Sequence, residues 1–310
     1  MESEMMDRLF ALVGVAVALV AAPFLKTVIN RTKAAVAGRQ GPPLLLPYRS
    51  LVRLMSKGAV YGSQTTWIFR AGPVVSLVAT MGALCLVPFA GRPALVHFEG
   101  DILLMAYLMG VGRFFTVLAA LATGSSFEGM GADREAFFSA LTEPSLLLGV
   151  AGLGAITGSL SLSEIYGNLG GSAFLGSNLP ALIFILAAFV IVYLAENSRI
   201  PVDDPTTHLE LTMIHEVMVL DHCGIDLAFI EYGGALKLWT MGLLVSGLVF
   251  PGGTGSLWLD VLLSLCCLMG FQVAVGLVES STARLKMGRV PLLLAVAFVM
   301  STLWIMWVVR

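Results

Sequence analysis

Residues 196–239 read ENSRIPVDDPTTHLELTMIHEVMVLDHCGIDLAFIEYGGALKLW. Eight acidic side chains, three of the four histidines, Arg199 and Lys237 fall in this stretch. What surrounds it is lipid-soluble. Of 310 residues, 57% are hydrophobic and only 12% charged, about half the charged share of a soluble domain, and mean hydropathy is +0.90. The stretch reads as a polar segment held between membrane helices, and its flanks decide the fold.

Apolar runs long enough to cross a bilayer as helices, about 20 residues each, occur near 8–29, 73–90, 101–122, 143–161, 178–196, 227–250, 257–279 and 291–309. The expected fold is an all-α integral membrane protein of about eight transmembrane helices, a single transmembrane domain over residues 1–310. Its cytoplasmic loops are expected at about 30–72, 123–142, 197–226 and 280–290. Thirteen Lys and Arg residues lie after spans one, three, five and seven, whereas Arg8, Arg92 and Arg310 lie on the other side. The positive-inside rule then places both termini away from the cytoplasm.

Composition also excludes function classes. The four cysteines form no C-x-x-C pair, and an iron-sulfur cluster normally takes four thiolates, so none is expected here. A balance of 18 basic to 20 acidic residues leaves no basic surface for nucleic acid once the membrane-side sorting is subtracted.

Within the stretch, Asp204 can cap a helix that Pro205 begins, and Gly224 can end it, which predicts a helix over 205–222. Projected at 100° per residue, Leu209, Met213, Val217 and Leu220 form one apolar arc and Leu211, Ile214 and Met218 another. Glu210 and Asp221 fall between them. Both are expected to be buried, within reach of Glu143 or Glu196, as proton-passing carboxylates or as members of an ion-pair network that fixes the loop. His208, His215 and His222 share the remaining face. Residues seven apart are about 10 Å apart along the axis, too far to share one metal ion, so this reads as a partner-facing polar stripe.

Charges also lie inside the spans. Arg113 is deep in the third, at a cost of at least ~2.5 kcal/mol unless it faces protein or water. Glu143 sits beside Pro144 among leucines, either as a buried carboxylate with a raised pKa unless paired or as a helix-end carboxylate favoured by the dipole. Glu231 and Lys237 lie in the sixth span. Upstream, Leu44, Leu51, Leu54 and Met55 recur near helical spacing between Arg49, Arg53 and Lys57, a short amphipathic helix lying on the cytoplasmic face that serves either to anchor lipid or to dock a partner. The loop 161–178 reads as a plain connection.

Glu196-Asn197-Ser198-Arg199-Ile200-Pro201-Val202-Asp203, then Glu210-Leu211, Asp221 and Phe229-Ile230-Glu231-Tyr232, resemble the signature of the respiratory complex I subunit 1 (H subunit) family. Gly38-Arg39-Gln40-Gly41-Pro42, Arg134 and Glu143 extend the resemblance across most of the chain. The version here is most similar to the branch in group 4 membrane-bound nickel-iron hydrogenases of the formate hydrogenlyase type. The resemblance implies a non-catalytic membrane-anchor and ion-coupling subunit of an oxidoreductase complex in the prokaryotic inner membrane. It implies a proton or ion path through Glu143, Glu196, Glu210, Asp221, Glu231 and Lys237, with Arg113, Arg199, Asp203 and Arg134 in tuning or structural roles. No cofactor is expected in this chain; iron-sulfur clusters and a nickel-iron centre are expected in hydrogenase-like small and large subunits at the cytoplasmic face, beside antiporter-like membrane subunits. Three extra residues between Glu210 and Gly224, and Lys237 after Glu231-Tyr232, depart from the quinone-reducing relatives. A quinone oxidoreductase subunit and a free-standing secondary transporter are the alternatives.

Overall fold

The computed structural model describes residues 2–62, 65–169, 172–204 and 213–310. Ten α-helices follow one another among them: α1 Glu2–Val36, α2 Leu46–Met55, α3 Trp67–Cys85, α4 Asp101–Ala122, α5 Ser126–Thr157, α6 Leu162–Leu169, α7 Ser172–Glu196, α8 Gly224–Val249, α9 Leu257–Ser281 and α10 Val290–Val309. Seven of them are long and apolar enough to cross a membrane, and α7 adds a shorter apolar run, Ala181–Glu196. These eight match the expected spans one for one.

Burial sorts the helices. In α8, 67% of the apolar window is buried, against 22% in α1 and α10, so α8 is the axis and the terminal helices face lipid. It packs on α1, α3, α7 and α9, while α10 closes against α5 and α7. Small residues allow this closeness, as between membrane helices generally. A Cβ on Gly72 of α3 would lie 2.8 Å from the Ala119 Cβ and 3.1 Å from the Phe115 carbonyl of α4, and one on Gly276 of α9 would lie 3.1 Å from the Ile29 carbonyl of α1. Buried polar tips find partners between helices: the Trp304 indole donates to the Gly149 carbonyl at 3.0 Å and the Tyr166 hydroxyl to the Leu244 carbonyl at 2.6 Å. Tyr166 belongs to α6, an ordered helix inside what the sequence suggested was a plain connection.

Two expectations are corrected. The stretch 123–142, expected as a loop, is helical from Ser126, and α5 runs unbroken through Glu143 and Pro144. Proline is compatible with the interior of a membrane helix, where neighbouring groups can re-satisfy a freed carbonyl. With 32 residues at 1.5 Å each, α5 is about 48 Å long, more than the ~30 Å hydrocarbon core, so its first turns stand outside that layer.

The helix predicted over 205–222 is the second. Residues 205–212 lie outside the described residues, and Glu210 and His208 with them. From Met213 to His222 the chain makes only one short 3-10 turn, Glu216–Val219. Several of its backbone groups go to tertiary partners. The Ile214 and His215 amides donate to Asp203 Oδ2, both at 3.2 Å, the Met213 carbonyl accepts from Arg134 at 2.9 Å, and the Asp221 amide donates to Glu128 at 3.0 Å. Val217 and Met218 press on Gly131 of α5.

The chain after α2 is latched to the start of α8. Gly224, at φ +57°, turns against the Gly58 carbonyl, where any Cβ would lie 2.5 Å away, and the Val60 amide donates to Cys223 Sγ at 3.2 Å. His222, buried, stacks on Phe69 with ring centroids 4.0 Å apart and planes 7° apart. It is therefore a packing residue, not part of a partner-facing stripe.

Two outcomes follow from these contacts. Gly72→Val should destabilise the detergent-solubilised protein by about 1–3 kcal/mol, because backbone on α4 cannot yield, and thermal unfolding measures this. Burial pushes the His222 imidazole below its ordinary value, against the opposing pull of Asp226 and Asp221. The unfolded chain therefore takes up this proton first, near pH 6.5. Stability should be intact above that pH and fall as pH drops below it, and unfolding followed against pH should show a shallower acid limb in His222→Phe.

Candidate functional site: a charged cavity between the helices

The last residue of α7 organises the site. Glu196, its side chain 8% exposed, accepts from Lys237 of α8 at 2.8 Å, pairs with Arg113 of α4 at 3.2 Å, and accepts from the Thr142 hydroxyl of α5 at 3.1 Å. Arg113 also holds Glu143 of α5 at 3.0 Å. Four membrane helices thus meet on two cations and two carboxylates. Glu143, 52% exposed, lies within continuous helix and is neither deeply buried nor a helix-end carboxylate.

Three further groups of charges lie nearby. Glu231, expected in the sixth span, accepts from Lys26 of α1 at 2.6 Å. Glu279 of α9, its side chain wholly buried, is held by Lys33 of α1 at 2.9 Å and faces Arg199 at 3.6 Å. Asp203, buried, accepts from Arg284 at 2.9 Å and from the Asp204 amide at 2.9 Å, besides the Ile214 and His215 amides. That carboxylate ties the turn after α7, the segment before α8 and the loop after α9 into one knot.

A cavity of about 400 Å³ touches all four groups: Arg113, Glu196 and Lys237 from the first, Lys26 and Glu231 from the second, Arg199 from the third and Asp203 from the fourth line it, with Glu135, Glu216, His215 and His222. It is roomy enough for several waters at about 30 Å³ each. Charged walls lined by apolar helices make it able to hold water and pass protons between carboxylates. Burial lowers the His215 pKa, with Glu135 opposing.

Of the residues singled out in the sequence, the structure brings together Arg113, Glu143, Glu196, Glu231, Lys237, Arg199 and Asp203. It does not bring in Asp221, which is exposed and contributes its backbone amide to Glu128 instead of a buried carboxylate. Arg134 is spent on the Met213 carbonyl and the Met130 sulfur. Sequence reasoning missed Lys26, Lys33 and Glu279 as site residues. A signal existed: Lys26 and Lys33 are seven apart, hence on one face of a helix, and Glu279 ends an apolar run.

Comparison with known proteins agrees with this architecture. The profile of the NADH dehydrogenase family matches residues 9–309. Formate hydrogenlyase subunit 4 of Escherichia coli K12 is 28% identical over 92% of this chain and 94% of its own length. Hydrogenase-4 component C of the same organism is 30% identical over 84% of this chain and 79% of its own. The H subunit of the NADH-quinone oxidoreductase of Burkholderia vietnamiensis is 26% identical over 69% of this chain and 62% of its own. In fold, the chain superposes with a TM-score of 0.80 on a chain of the membrane-bound sulfane sulfur reductase, an archaeal respiratory membrane complex, at 21% identity and covering 97% and 99% of the two chains. With a family match over nearly its whole length and the same helical architecture, the chain belongs to the NADH dehydrogenase subunit 1 family.

Proposed function

We propose that this chain is the membrane-anchor and ion-coupling subunit of a group 4 nickel-iron hydrogenase complex of the formate hydrogenlyase type. The carrying observation is the single cavity that touches four groups of paired charges, one of them centred on Glu196 between membrane helices. The names of the two Escherichia coli relatives support the hydrogenase assignment. Among the described residues no three His, Cys, Asp or Glu side chains converge as a metal site, and the proposal assigns the metal chemistry to hydrogenase-like small and large subunits. These sit on the cytoplasmic face over the loops that carry Asp203 and Arg284 and the start of α5 that carries Arg134, with antiporter-like subunits alongside in the inner membrane and both termini on the non-cytoplasmic side.

In this reading protons enter the cavity past Glu135 and Glu231 and reach Glu196. Two cations within 3.2 Å stabilise the Glu196 charge. Movement of Lys237 away from it would leave one cation and favour proton uptake, and the return of Lys237 would expel the proton. Redox events in the partner chains would move Lys237 through the knot at Asp203 and the segment it holds against α5.

Purification of the native complex tests the assignment: nickel and iron-sulfur chains should accompany this subunit. An NADH-oxidising module in their place would redirect the reading to a quinone oxidoreductase, and a lone transport-competent chain would sink it. Glu196→Gln should lower ion movement in vesicles by tenfold or more, or about 1.4 kcal/mol, while hydrogen evolution from a soluble donor persists. Glu196→Ala removes the carboxylate that Lys237 pairs with and leaves Arg113 with Glu143 alone, and should cost about 3–5 kcal/mol. A cycle of Glu196→Gln with Lys237→Met should return a coupling of ~0.5–3 kcal/mol by thermal unfolding.

A further inference from the structure

Between Asp7 and Glu99 the sequence holds no acidic residue but ten Lys and Arg. Some of these cations are used inside the molecule, Lys26 on Glu231 and Lys33 on Glu279. Arg39, Arg49, Arg53 and Lys57 are exposed and form no ion pair with any described residue. Arg49 and Arg53 stand one turn apart on α2, and Lys57 follows just past its C-terminal cap at Ser56. They form a cationic ridge with no counter-charge in its own sequence neighbourhood.

The depth of α2 says what faces that ridge. The Tyr48 hydroxyl donates to the Val20 carbonyl at 2.6 Å, and the Thr27 hydroxyl donates to the Leu44 carbonyl at 3.4 Å. Both partners lie in the apolar membrane-crossing part of α1, where Tyr232 of α8 also bonds, at Leu19. Val20 lies thirteen residues before Lys33, about 20 Å along the helix. The short helix is thus seated against the flank of the membrane helices, below the end of α1, and has no fully buried side chain. Leu45, Val52 and Met55 are exposed on a second sector, beside the membrane-crossing part of α1. An apolar sector at acyl depth beside a cationic ridge is the pattern of a helix lying in the headgroup layer. A soluble partner docking from above would meet the ridge but leave that sector bare.

We propose that α2 with Lys57 is a binding site for the phosphate headgroups of acidic phospholipids in the leaflet on the basic side of the protein. The site stands independently of the redox assignment. Arg49, Arg53 and Lys57 take the phosphate oxygens, Val52 and Met55 take the first methylenes of the chains, and Tyr48 holds the helix at the required depth.

The test places the complex in nanodiscs of phosphatidylcholine with phosphatidylglycerol and measures, by mass spectrometry after detergent washing, which lipid stays bound. The parent should retain phosphatidylglycerol in about tenfold or greater preference, since each basic group near an anionic surface contributes about a factor of five. The variant Arg49→Gln/Arg53→Gln/Lys57→Gln should lose the preference, and Arg49→Lys/Arg53→Lys should keep it. Should the glutamine variant fail to fold, raised salt on the parent decides, because headgroup pairing at the surface must weaken within a shortened Debye length. Equal retention of both lipids by the parent, or a preference unchanged by salt or by the glutamines, overturns the proposal. So does a photo-crosslinker at Val52 that captures a protein subunit in place of lipid.

Discussion

An ionised carboxylate among apolar helices is tolerable only when cations and donors are already in place around it. Glu196 sets that condition for this fold. Its partners come from three helices that are far from it in sequence: Arg113 on α4, Thr142 on α5 and Lys237 on α8. Hydrophobic burial alone gives membrane helices little preference for one neighbour over another, since lipid is as apolar as leucine. The charge cluster supplies that preference, and the close approaches at Gly72 and Gly276 let the surrounding helices draw in far enough to make it.

Outside the hydrocarbon layer, Asp203 imposes order in the same way. Four donors converge on one carboxylate, two of them backbone amides eleven and twelve residues downstream. Those two amides are then unavailable to an α-helix, which is why Met213–His222 follows the surface of α5 with only a single 3-10 turn. Local sequence signals for a helix were present at both ends, an Asp-Pro start and a glycine stop. Tertiary hydrogen bonds and the fit of Val217 against Gly131 outweighed them, as propensities of a few tenths of a kcal/mol per residue allow.

The eight crossing helices were legible because bilayer thickness fixes their length and hydropathy their place. Arg113, Glu196 and Lys237 were legible as charges that apolar surroundings forbid to stand alone. Their pairing was not, because nothing local reports that Glu231 meets Lys26 from 205 residues away, or that Glu279 meets Lys33 of α1 besides Arg199 of the central stretch. Asp221 misled for a related reason. Its apolar neighbours on a helical projection meant burial only if that part of the chain were α-helical, and with only a 3-10 turn over Met213–His222 Leu220 and Asp221 both turn to the exterior.

The cluster around Glu196 is electrically balanced: Arg113 and Lys237 against Glu143 and Glu196. On the proposed role, a proton added there leaves one net positive charge in a medium of low dielectric constant, where its field reaches far. That field bears on every titratable group along the same cavity, and Lys26–Glu231 is the neighbouring pair that also lines it. A positive charge at the Glu196 cluster repels the Lys26 ammonium and so pushes it outward from Glu231. Neutral, paired clusters set along one water-sized cavity therefore do more than lower the cost of burial. On that role each would resist a change in charge unless another compensates, and local proton uptake would be felt along the whole row.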